Sequence, residues 1–90
     1  MRPDGADEVI ATVRSVLRDV LGISDERAAA FTDTSPLFGT LPELDSMAVA
    51  NVLTEIEDRL GILIEDDDVD ADTLETFGAL TRFAVGKALA

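Results

Sequence analysis

The residues able to support chemistry are few, and they sit together at Leu44-Asp45-Ser46-Met47. A serine at the start of a helix commonly caps it, its hydroxyl accepting a backbone N–H, and either Asp45 or Ser46 suits that role. A serine can also act as a nucleophile, but only with a base to activate it. The chain has no histidine, cysteine, tyrosine or tryptophan. A Ser–His pair, an imidazole or thiolate metal site, a thiol nucleophile and a disulfide framework are therefore all excluded. No acid–base constellation is visible, and the chain is not expected to be an enzyme. A second group of interest is Asp66-Asp67-Asp68-Val69-Asp70-Ala71-Asp72. A calcium loop starting at Asp66 would place Asp68, Asp70 and Asp72 correctly. It fails at Ala71, where glycine is needed, and at Phe77, where the closing glutamate belongs. A loop starting at Asp68 fails likewise, at Thr73 and Ala79.

The elements that must position Ser46 follow from periodicity and punctuation. Val9, Val13, Val16, Leu17 and Val20 recur at helical spacing, widened by Ile10 and Leu21, and predict a helix from Asp7 to Leu21. Asp7 and Glu8 suit its positive end, and Gly22 is a good stop. A long connection runs from Gly22 to Leu44, rich in turn residues, with one helical turn within Asp25 to Phe31. Leu37, Phe38 and Leu41 are expected to pin it to the core. A connection of about twenty residues in a compact domain often has a job. A second long helix begins near Asp45-Ser46 and runs to Leu60, stopped by Gly61. Its buried stripe is Val49, Val52, Leu53, Ile56 and Leu60. Met47, Ala50, Asn51, Thr54, Glu57 and Asp58 fall outward. Ile62, Leu63 and Ile64 read as an apolar tether, and Asp70 to Leu74 as one helical turn. The last helix is capped by Thr76 and runs toward Leu89, with Phe77, Leu80, Ala84, Val85 and Leu89 inward and Phe83 adding to them. The expectation is an all-α four-helix bundle with three main helices, a short third helix and a long first loop. Residues 1–90 are expected to form a single domain.

Charge narrows the partners. Seven basic residues stand against 19 acidic ones, a net charge of −12. From Glu43 to Glu75 there are twelve acidic residues and only Arg59 to oppose them, so this segment holds −11 of that charge. Nucleic acid binding needs phosphate neutralisation and is excluded. The same field disfavours anionic membranes and attracts basic protein surfaces. Met1-Arg2-Pro3-Asp4-Gly5-Ala6-Asp7 has no apolar leader core, and no stretch is long enough to span a bilayer. A monomeric, cytoplasmic protein is expected.

Set behind a long loop, at the head of an amphipathic helix and of an acidic segment, Leu44-Asp45-Ser46-Met47 resembles the acyl carrier protein family. Glu55-Ile56-Glu57-Asp58-Arg59-Leu60-Gly61-Ile62 extends the resemblance, which spans essentially the whole chain. It implies that Ser46 bears 4′-phosphopantetheine, transferred from coenzyme A by a separate phosphopantetheinyl transferase. Asp45, by analogy, helps ligate the divalent cation during transfer. A helix N-terminus suits the phosphodiester anion, because its N–H groups are unpaired and the dipole is positive there. Acyl-loading and acyl-accepting enzymes with basic surfaces are the implied partners. Met47 would offer them an apolar anchor, with Glu57 and Asp58 providing charge; the alternative for Met47 is packing under the loop. Leu44 stands where many members of the family have glycine, and Asn51 and Thr54 where fatty-acid-type carriers tend to be acidic or more apolar. These departures lean toward a specialised pathway (polyketide, polysaccharide-associated or amino-acyl) over central fatty acid synthesis. An aminoacyl or peptidyl carrier, and an unmodified acidic interaction domain, remain as alternatives.

Overall fold

The computed structural model describes residues 5–89. Residues 1–4, part of the stretch read above as lacking a leader core, and Ala90 lie outside the described residues. Helix α1, Ala6–Leu21, buries Val9, Val13, Val16 and Leu17, one stripe of a 3.6-residue period. It stops at Gly22, whose φ of 66° is left-handed and open to glycine at no steric cost. The short α2, Asp25–Ala29, is capped by Ser24, whose hydroxyl accepts the Arg27 N–H. Helix α3, Ser46–Leu60, buries Val52, Ile56 and Leu60, and ends at Gly61 with φ 65°. Two 3-10 turns follow, Asp66–Asp68 and Ala71–Leu74, and then α4, Phe77–Ala88, capped by Thr76. Among the described residues there is no strand, only an isolated bridge between Pro36 and Thr76. No described helix is long and apolar enough to cross a membrane.

α1 packs on α2, α3 and α4, and the Ala71–Leu74 turn packs on α4. The long connection is held where it matters. Leu37 and Phe38 donate their N–H groups to Glu75 and Leu74, while Phe77 and Gly78 donate theirs to Ser35 and Asp33, all at 2.8–3.0 Å. The loop thereby supplies acceptors to two first-turn N–H groups of α4, which have no partner within the helix. Arg14 ties the other side: its guanidinium donates to the Ala28 and Phe31 carbonyls at 2.6 and 3.0 Å and lies 4.7 Å over the Phe77 ring. Phe31 stacks on Phe77 with centroids 5.4 Å apart.

Several expected burials differ. Leu37 is fully buried and Leu41 packs on the core, but Phe38 is 52% exposed. Its backbone, not its side chain, pins the loop. Val49 and Leu53 are half-buried, because the 64–74 stretch stands off from this face of α3 and leaves a groove. Ile62 and Ile64 pack on the core, whereas Leu63 between them is exposed. Leu89 lies past the end of α4, as its cap, and is largely outside the core. Val85 is half-buried against the core, and Phe83 is half-buried too.

Candidate functional site

Asp45, not Ser46, caps α3. Its Oδ1 accepts the Ala48 N–H at 2.8 Å from an extended backbone, and its carbonyl accepts the Val49 N–H at 2.9 Å. Ser46 is consequently the first helical residue, exposed, and its hydroxyl has no hydrogen-bond partner among the described residues. The residue before the cap, Leu44, is a buried anchor, 3% exposed. It holds the helix start to the core while the next two side chains stay in solvent. The N–H groups of Ser46 and Met47 likewise find no acceptor among the described residues. That is the ordinary condition of a helix start, and it leaves partial positive charge beside the serine.

Two grooves meet at Ser46 and share Val49 as the ridge between them. One, of about 400 Å³, runs along α3 past Leu53, Thr54 and Glu57 and is closed on the far side by Ile64, Glu65, Asp66 and Val69. The other, of about 250 Å³, is walled by Phe38, Val49, Ala71 and Leu74 and is mainly apolar. A third groove of about 480 Å³ lies at the other end of α3, between Asp58–Leu63 and Lys87. It holds no hydroxyl, and its Lys87 is paired with Asp68, so size does not make it the centre of the chemistry.

The other predicted site residues fall as follows. Met47 is 78% exposed, which disposes of its packing under the loop. Asp58 is exposed on α3. Glu57 differs from the expected free outward charge: it is half-buried, and its carboxylate accepts the Ile64 N–H at 2.7 Å, tying the chain after α3 back onto the helix. Phe38 was not foreseen as part of the site, since an aromatic in a loop reads as a core plug. Among the described residues no three acidic side chains converge as a metal-ligating group, although the 66–72 run is dense in carboxylates. Asp68 is drawn instead to Lys87 of α4 at 2.5 Å, and that ammonium holds its carboxyl below the usual carboxylate range.

Comparison with known proteins meets this geometry. The family described as the phosphopantetheine attachment site matches residues 11–83. The solution NMR structure of a holo acyl carrier protein from Nitrosomonas europaea superposes with a TM-score of 0.74. It is 45% identical, with 83% of this chain and 88% of that one covered. No curated protein matches. The chain belongs to the acyl carrier protein family, with its bundle fold and its covalently attached 4′-phosphopantetheine. The residues at the start of α3 fit that group: an exposed, unengaged hydroxyl, unpaired N–H groups beside it for a phosphodiester, and grooves leading away from it.

Proposed function

We propose that Ser46 is the attachment serine and that the protein carries acyl groups between enzymes, itself a substrate rather than a catalyst. The observation that supports this most is the division of labour at α3: Asp45 takes the capping role, so the Ser46 hydroxyl is free in solvent. With no histidine in the chain, deprotonation of Ser46 falls to the transferase. Asp45 uses one carboxylate oxygen on Ala48, leaving the other for the divalent cation that accompanies coenzyme A. When bound, the arm supplies a terminal thiol that holds acyl groups as thioesters. The N–H groups of Ser46 and Met47 then stabilise the phosphodiester, and the grooves beside Val49 shelter what lies along them.

The apolar groove walled by Phe38, Val49, Ala71 and Leu74 favours acyl cargo over an aminoacyl or peptidyl group, whose ammonium or amides would be left without partners there. Partners are the phosphopantetheinyl transferase and acyl-loading and acyl-accepting enzymes with basic surfaces. Met47 is their apolar anchor, and Asp58, with the part of Glu57 that Ile64 leaves accessible, their charge contact. Asn51 and Thr54 are exposed, so this face is less acidic than the acidic segment as a whole. With Leu44 serving the core, that difference supports a specialised biosynthetic pathway over central fatty acid synthesis. The reading is of a cytoplasmic monomer of one domain.

The test is intact-protein mass after incubation with coenzyme A, magnesium and a promiscuous phosphopantetheinyl transferase. One phosphopantetheine increment, mapped to Ser46 by fragmentation and absent in Ser46→Ala, is expected. Loading of the Ser46→Ala protein would overturn the assignment.

A further inference from the structure

The stretch that delivers Ser46 is joined to α2 by a side-chain ion pair. Arg27 of α2 meets Glu43 as a fork on a fork, Nη1 to Oε2 at 2.5 Å and Nη2 to Oε1 at 3.2 Å. Of residues 39–43, Leu41 packs on the core, and among the described residues no other side-chain hydrogen bond or ion pair holds the stretch. Their backbone contacts are local, from the Thr40 and Leu41 N–H groups to the Leu37 carbonyl and from the Leu44 N–H to the Leu41 carbonyl, and Pro42 has no N–H to give. The anchors on either side are the side chains of Leu37 and Leu44. α2 is itself fixed, by the Arg14 bond to the Ala28 carbonyl and by its Ser24 cap. A mechanical path therefore runs from α1 through Arg14, α2 and Arg27 to Glu43, two residues before the α3 cap.

An exposed ion pair ordinarily contributes little to stability, but bidentate Arg–carboxylate geometry is the exception that fixes direction as well as distance. We propose that Arg27 and Glu43 form a positioning clamp that holds the Glu43–Asp45 stretch in one orientation, so that the transferring enzyme meets Ser46 already presented. The clamp rests on Ser46 being the attachment serine. Neither residue touches the reacting atoms; each acts through the chain that carries Asp45 and Ser46. With the clamp released, only a fraction of molecules presents Ser46 competently. Apparent affinity for the transferase falls by that fraction, while turnover of the bound complex is preserved.

The experiment measures transfer to the full chain with coenzyme A, magnesium and a promiscuous transferase, together with amide hydrogen exchange over residues 39–47. Arg27→Gln and Glu43→Gln are each expected to raise KM three- to tenfold with kcat within twofold, and to speed exchange across that stretch. Arg27→Lys, which keeps the charge and loses the fork, should resemble Arg27→Gln. The exchanged pair Arg27→Glu with Glu43→Arg should return both KM and exchange to within twofold of the parent. Wild-type KM in the single variants overturns the clamp. So does an exchanged pair as impaired as the singles, which would make either residue a direct enzyme contact. An Arg27→Lys protein indistinguishable from the parent would reduce the pair to charge balance and overturn it too. Failure of the parent chain to load at Ser46 would remove the premise instead, and is read separately from the wild-type control.

Discussion

Two neighbouring side chains at the head of α3 do different work, and their substitutions should separate it. Ser46 is exposed, is not the cap and its hydroxyl has no partner among the described residues, so Ser46→Ala should change unfolding free energy by no more than about 0.5 kcal/mol while abolishing loading. Asp45→Ala removes the acceptor for Ala48 and should cost about 1 kcal/mol. Asn caps nearly as well as Asp, so Asp45→Asn should leave urea unfolding close to the parent. If Asp45 also serves the cation, that same variant should load more slowly and need more magnesium. Loading of Asp45→Asn at the parent rate at every magnesium level would confine Asp45 to its cap. Gly78 poses a different residue-scale problem. A Cβ there would lie 2.6 Å from the Asp33 carbonyl oxygen and 2.9 Å from its Cα, both backbone atoms of the docked loop. Alanine is the better helix former by about 1 kcal/mol, but displacing that loop costs about 1–3 kcal/mol. Gly78→Ala should therefore melt below the parent; a higher melting temperature would mean the loop yields freely.

At the scale of elements, what was legible before the structure was whatever local pattern controls. The stripes of α1 and α4, the glycine stops at Gly22 and Gly61 and the Thr76 cap follow from spacing and end chemistry, and the ends came within one residue. The serine was legible because its loop, helix and acidic context coincide. What the pattern did not carry was contact between distant segments. Phe38 and Leu37 are equally apolar, and only the pairing of their backbones with Leu74 and Glu75 decides that one side chain goes in and the other out. Glu57 looked like surface charge because its partner, the Ile64 N–H, is a backbone group beyond the helix stop. The Asp66–Asp68 turn was hidden in an acidic run whose one cation, Lys87, comes from α4. That pair should govern how the 64–74 wall of the grooves responds to acid. Its folded-state carboxyl titrates lower than in the unfolded chain, so its contribution is complete above the ordinary carboxylate pKa of about 4. It is lost as pH falls through the lowered folded value. Lys87→Met should thus speed amide exchange over residues 64–74 at pH 7, and the difference from the parent should close in strong acid. A difference that persists unchanged at pH 2 would assign it to packing of the lysine stem.

On the whole-molecule scale the question is where the charge surplus is felt. Of the basic residues in the described chain, Arg18, Arg27, Arg59 and Lys87 are each paired with carboxylates, and Arg14 is spent on carbonyls. Little positive charge is left to answer the unpaired acids of the Glu43–Glu75 segment. The described chain measures 31 × 28 × 21 Å, against a screening length of about 10 Å at 0.1 M salt. At low salt every acid repels every other and the whole molecule attracts a basic partner; at 0.1 M only neighbours interact. Salt should therefore act in opposite directions on folding and on association. Added sodium chloride, between about 0.02 and 0.3 M, should raise the melting temperature by relieving self-repulsion. Over the same range it should slow association with a basic-surfaced loading enzyme by about tenfold or more. Asp58→Lys, which leaves the Glu57–Ile64 bond in place, should flatten the association curve with little effect on melting. Glu57→Lys should lower the melting temperature as well, because the Ile64 N–H loses its acceptor. Association that ignores salt, or that Asp58→Lys leaves untouched, would mean partners read the apolar rim around Ser46, Met47 and Phe38 rather than the field. Stopped-flow mixing at five salt concentrations with the two variants decides between them.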